Sequence, residues 1–198
     1  MPKYYPKRPM IAAVVLFLVT IYAAVSPSAE ESGPQASTRP FGGQRSVIPG
    51  KIEAEHFDLG AAEKAYHDVD GQNRGAKYRE KTQVDIEKRS DASNGHGIGW
   101  TKPGEWLLYS VTIKKAGKYT LQIPVACDKT GGKFHLELAG KNITGPIRIP
   151  DTGGWDKLKT LKKTGIQLPA GDHQLKLMMD TAGELKSTGD IDCLEFTR

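Results

Sequence analysis

Between Leu107 and Val125 the chain alternates with a period of two. Leu107, Tyr109, Val111 and Ile113 form one set and Tyr119, Leu121, Ile123 and Val125 a second, with Ala116-Gly117 between them. Extended backbone points successive side chains to opposite faces, so this period suits a strand with one buried side and cannot serve a helix. The pattern predicts two strands joined at a turn and paired as an antiparallel hairpin.

Shorter runs of the same kind recur on both sides. Ile52 and Ala54, Val84 to Glu87, Phe134 to Leu138, Ile147 and Ile149, Ile166 and Leu168, Leu175 to Met179, and Asp192 to Phe196 are separated by Gly- and Pro-rich turns. Short strands at roughly 8 to 12 residue spacing, with no amphipathic helical stretch, describe an all-β sandwich.

The 198 residues suit one domain with a proper core. Lys3, Lys7 and Arg8 precede an apolar run from Met10 to Val25 and the small residues Ser26-Pro27-Ser28-Ala29. Basic, apolar and small residues in that order mark a secretory signal, and the run falls short of the roughly 20 apolar residues of a spanning helix. Residues 1–29 are therefore read as a signal peptide or, uncleaved, an N-terminal membrane anchor. Residues 30–49, rich in Ser, Gly, Pro and Gln, read as a flexible linker, and 50–198 as the domain. The chain beyond the leader is expected outside the cytoplasm, secreted or periplasmic, as a monomer.

Charge excludes one class of partner. Setting aside the three leader charges, 25 basic residues face 23 acidic ones, a balance of +2 with no basic run flanked by aromatics. That does not describe a nucleic-acid surface. Cys127 and Cys193 sit on opposite strand parities, which favours buried free thiols over a disulfide.

Catalytic constellations are missing too. There is no Gly-x-Ser-x-Gly elbow and no His-Glu-x-x-His, and the five histidines lack metal-ligand spacing. Glu53 and Glu55, two apart on one strand, aim the same way and would not flank a sugar at the ~5 to 9 Å that glycoside hydrolysis uses. Two carboxylates on one strand face repel unless solvated or bridged, and Ca²⁺ collects such oxygens. The acidic turn Asp68 to Asn73 lacks the twelfth-position Glu of an EF-hand loop.

Tryptophans remain. Trp106 begins the alternating strand and reads as framework, whereas Trp100 and Trp155 each follow glycine in loops that no alternation claims. Aromatic planes with a few hydrogen-bonding groups suit the apolar CH faces and hydroxyl edges of sugars.

Several motifs in order carry a family resemblance: Ile52-Glu53-Ala54-Glu55, Asp85-Ile86-Glu87 with Ser90-Asp91, Gly97-Ile98-Gly99-Trp100, and Gly104-Glu105-Trp106-Leu107. Gly117-Lys118-Tyr119, Thr152-Gly153-Gly154-Trp155, Leu168-Pro169-Ala170-Gly171 and Ile191-Asp192 complete them. From about residue 49 to 198 the chain resembles carbohydrate-binding module family 6. The resemblance implies a jelly-roll β-sandwich of two antiparallel sheets and a structural calcium held by Glu53, Glu55 and Asp192. It also implies a loop cleft in which Trp100 and Trp155 clasp a sugar, with Glu87 at its border. Asp190 stands where the family commonly has Asn, keeping acceptors but losing amide donors. Some relatives bind along the concave face of the sandwich instead. The implied function is non-catalytic binding of a polysaccharide such as xylan or a β-glucan. The alternative is a structural or protein-interaction jelly roll at the cell envelope with a degenerate cleft.

Overall fold

The computed structural model describes Met1 and residues 38–198. The leader of residues 1–29, Met1 aside, and the first part of the linker lie outside the described residues. A short 3-10 turn, Phe41–Gly43, precedes the strands. The first seven are β1 (Ser46–Ile48), β2 (Gly50–Glu53), β3 (Tyr66–His67), β4 (Ile86–Lys88), β5 (His96–Ile98), β6 (Trp106–Ile113) and β7 (Gly117–Cys127). The others are β8 (Lys133–Leu138), β9 (Lys141–Asn142), β10 (Ile147–Arg148), β11 (Gly154–Leu168), β12 (Gly171–Thr181), β13 (Asp190–Ile191) and β14 (Cys193–Thr197).

They form two seven-stranded sheets. One runs β1-β6-β12-β8-β10, with β3 on β6 and β9 on β8; the other runs β2-β14-β7-β13-β5-β4, with β11 on β7. The all-β sandwich is thus the observed architecture. All pairings are antiparallel except β1 with β6, which is parallel.

The expected hairpin is not formed. β6 pairs with β12 and β7 with β11, so the chain crosses from one sheet to the other at Lys114–Ala116. Two alternating strands joined by a short turn satisfy the same apolar pattern whether they pair edge to edge or face each other across a core, and here they face each other. Leu121, Ile123 and Val125 are fully buried opposite the equally buried Tyr109 and Val111. The buried tyrosines keep their hydroxyls paired, as buried polar groups require. Tyr109 donates to the Ala54 carbonyl at 2.8 Å and Tyr119 to that of Lys115 at 2.6 Å.

Three other boundaries move. The domain begins inside the expected linker, because β1 lies at residues 46–48 and Ile48 is fully buried. Glu53 and Glu55 do not share a strand face: β2 ends at Glu53, the His56 amide donates to the Glu53 carbonyl at 3.0 Å, and Glu55 turns inward. Trp155 is not in a free loop but is the second residue of β11. Its middle, Lys157 to Lys163, hides that strand from an apolar pattern, since an edge strand need bury little. Cys127 and Cys193 are free and buried.

Candidate functional site

Glu87, Trp100, Trp155, Leu185, Ser187 and Asp190 line one cleft of about 380 Å³ at an end of the sandwich. The four residues singled out for a ligand from sequence, Trp100, Trp155, Asp190 and Glu87, therefore come together. Leu185 and Ser187 were missed. Leu185 is 48% exposed, and the legible signal was one leucine standing alone in the polar, glycine-rich segment 182–189.

The Gly-x-Gly motif makes room for the cleft floor. A Cβ on Gly97 would come within 3.1 Å of Arg89 Cδ and 3.2 Å of the Ile191 carbonyl. On Gly99 it would come within 3.3 Å of both Asp190 Oδ1 and Glu87 Cδ. Trp100 follows in left-handed backbone at φ 49°, a conformation uncommon for a bulky residue and met at ligand-facing positions. The residue is 43% exposed. Next to it the buried Thr101 hydroxyl donates to the Gly189 carbonyl at 2.5 Å, and the Thr188 amide donates to the Thr101 carbonyl at 2.8 Å. The Trp100 turn is thereby fixed to the loop that carries Ser187 and leads into Asp190 at the start of β13.

Arg89 is the hub beneath the cleft, and sequence reasoning passed over it. Its side chain is 3% exposed and pairs with Glu87, with Asp91 at 2.9 Å and with Asp190 at 3.1 Å. It also donates to the Trp155 carbonyl at 2.7 Å. Glu87, Arg89 and Asp91 are spaced two apart, an acid-base-acid alternation that was the available signal, although β4 ends at Lys88 and Asp91 lies in the bend that follows. Burial and then the charge of Glu87 push the Asp190 carboxyl above its ordinary range, against the pull of Arg89. Trp106 stands apart on the outer side of β6, between His67 and Lys176, whose ammonium lies 5.0 Å from its ring centre.

The second expected site gathers where β2 meets β14. Glu53, Asp192 and Cys193 bring ligand atoms within 4.8 Å of one another. The Ser93 amide donates to Asp192 Oδ1 at 3.0 Å and the Ser93 hydroxyl to Glu53 at 2.5 Å. Glu55 lies outside that trio but adjoins it, accepting from Asn94 at 2.9 Å. Its Oε2 is buried with no hydrogen-bond partner among the described residues, and burial, helped by Glu53 and Asp192, pushes its carboxyl up to about 7. An orphaned buried carboxylate oxygen beside two more carboxylates fits a hard cation. Cys193 does not fit that role, since burial pushes its thiol up to about 12. Asp68, Asp70 and Asp85 also cluster, yet Asp70 is already paired with Lys102 at 2.5 Å and Arg74 at 2.9 Å.

Known proteins share this architecture and parts of this sequence. The family model for carbohydrate binding module (family 6) matches residues 74–198. The clotting factor G alpha subunit of Tachypleus tridentatus is 30% identical over 107 residues, which is 53% of this chain and 16% of that protein's length. The family 6 module of Cellvibrio mixtus lichenase 5A, solved in complex with cellotriose, superposes with a TM-score of 0.55 at 26% identity, covering 76% of this chain and 97% of that one. The C-terminal family 6 module of LamC, a marine laminarinase from Zobellia galactanivorans, gives 0.57 at 26% identity over 75% and 98%.

Proposed function

Because the chain belongs to carbohydrate-binding module family 6, we propose that residues 38–198 bind a polysaccharide, with no catalysis of their own, in the cleft between Trp100 and Trp155. The observation that carries this reading is the convergence of two tryptophans, one of them 43% exposed, on a cleft floored by carboxylates. The indole faces supply apolar plates for sugar CH groups, while Glu87, Asp190 and Ser187 offer acceptors for hydroxyls. Asp190 in place of Asn is held at the cleft by its ion pair with Arg89 at 3.1 Å. Cellotriose in the lichenase relative, and the laminarinase to which the LamC module belongs, point to a β-glucan as the first class to try; xylan is the second.

Calcium is proposed at Glu53, Glu55 and Asp192, where its two charges would offset most of the repulsion among three carboxylates and join the turn after β2 to the start of β14. The leader is proposed to export the module or to tether it to a membrane. Among the described residues no helix is long and apolar enough to cross one.

Quenching or shift of tryptophan fluorescence on titration with cello- and laminari-oligosaccharides tests the cleft. Saturable change with the native protein and an affinity lowered about 30-fold by Trp100→Ala supports it; no change with any glycan refutes it. Incubating the same glycans with the protein and assaying reducing ends addresses catalysis, and the expected yield is nil.

A further inference from the structure

Strand β11 carries Lys157, Lys159, Lys162 and Lys163 within seven residues that contain no acid. Three are exposed and Lys163 is half-buried. Some surface cations find partners, as Arg45 does with Asp172, Lys176 with Glu137 and Lys102 with Asp70, so what sets β11 apart is the density of its lysines and not their lack of partners. Among the described residues none of the four β11 ammonium groups has a carboxylate within ion-pair range. Among the described residues the strand bonds only to β7, which leaves its other edge unpaired there.

Lysine on an open edge deters stray strand pairing, but placement adds a second consequence. β11 starts at Gly154 with Trp155, a wall of the cleft. Lys157 folds back onto that start: its Cδ and Nζ would lie 3.8 and 3.9 Å from a Cβ on Gly153. From Lys157 to Lys163 the strand carries positive charge away from the cleft for about 20 Å, at roughly 3.3 Å per residue. Lys159 and Lys163 lie opposite Val125 and Leu121 on one face and Lys162 opposite Gln122 on the other, so the charge flanks the open edge on both sides. The cleft itself holds the carboxylates of Glu87 and Asp190, countered by Arg89 alone, so it disfavours an acidic sugar. The two surfaces are complementary in charge.

We infer that β11 is an anionic-glycan subsite continuous with the cleft: a neutral ring stacks at Trp155 while carboxylate or sulfate groups further along the same polysaccharide meet Lys157, Lys159, Lys162 and Lys163. The ligand class is an acidic polysaccharide with neutral and charged residues in one chain. The inference rests on the cleft reading above. Each exposed contact is weak and screened by salt; four along one strand sum to a measurable preference.

The test uses the full chain with laminarin, a neutral β-1,3-glucan, and a partly carboxymethylated form of the same laminarin. At low salt the charged form is expected to bind about tenfold more tightly, about 1.4 kcal/mol, and to lose that advantage at about 0.5 M NaCl, where the screening length shrinks to a few Å. The quadruple variant Lys157→Gln, Lys159→Gln, Lys162→Gln, Lys163→Gln should lower charged-form affinity to the neutral level while leaving neutral binding and the melting temperature unchanged. Trp155→Ala should weaken both forms. Equal affinity for the two polymers at low salt, or a preference that survives in the quadruple variant, overturns the subsite. Charged-form binding untouched by Trp155→Ala overturns its continuity with the cleft. Failure of the cleft reading shows differently, as no native binding of the neutral polymer; lysine-dependent, salt-sensitive binding of the charged one then still decides whether β11 takes anions.

Discussion

Arg89 lies 3.1 Å from Asp190 across 101 residues of chain, both buried, and the same guanidinium donates to the Trp155 carbonyl at 2.7 Å. One cation thus ties β4's end to β13 and to the start of β11, the three segments that supply Glu87, Asp190 and Trp155 to the cleft. Removing it leaves the buried Asp190 carboxyl beside Glu87 without its cation.

Arg89→Met is therefore expected to destabilise the domain by about 3 kcal/mol, the usual cost of breaking a buried pair from one side. A domain of this size should melt roughly 6 to 12 °C lower. Adding Asp190→Asn to that variant should recover part of the loss, since the uncompensated charge goes. Thermal melts of the three proteins check this; a melting temperature unmoved in Arg89→Met would contradict it.

Gly97→Ala should cost about 1 to 3 kcal/mol, because a Cβ there meets the Ile191 carbonyl at 3.2 Å and backbone yields little. Gly99→Ala presses instead on the Glu87 and Asp190 side chains, so its expected effect is weaker glycan binding with a smaller change in melting temperature. Denaturant unfolding and a binding titration on the pair separate the two outcomes.

Calcium should raise the melting temperature and a chelator should lower it, because an ion bound only to the folded state stabilises by mass action. Asp192→Ala is expected to abolish that response. A melt insensitive to chelator in the native protein rules the ion out.

Without the ion, stability should fall as pH rises. Burial pushes Glu55 and Glu105 from 4.5 up to about 7, so between those values the folded chain holds protons that the unfolded chain has released. Their contribution is whole below the ordinary carboxyl range and lost above about 7. Melting temperatures in chelator across that window should decline, and Glu105→Gln should flatten part of the decline. A rise with pH under those conditions would reverse the sign and refute it.

The sequence disclosed the sandwich through Leu107 to Val125 but not which strands pair. A period of two says which face is buried and is silent on whether the neighbour lies beside it or across the core. It disclosed Trp100 and Trp155 because glycine turns set them apart from any buried pattern. Arg89 stayed hidden because three close carboxylates bury it, and charge alternation on a short strand usually marks a solvated face. β11 was half legible for the opposite reason: Ile166 and Leu168 enter the core, while the lysine-rich stretch before them is exposed edge.

Affinity electrophoresis in gels cast with and without laminarin compares native protein with Trp100→Ala and Trp155→Ala most directly. Laminarin is expected to retard the native protein, and each substitution to weaken binding by about 30-fold, the loss of a central aromatic anchor worth ~2 kcal/mol. Both variants retarded as strongly as the native protein would contradict the cleft.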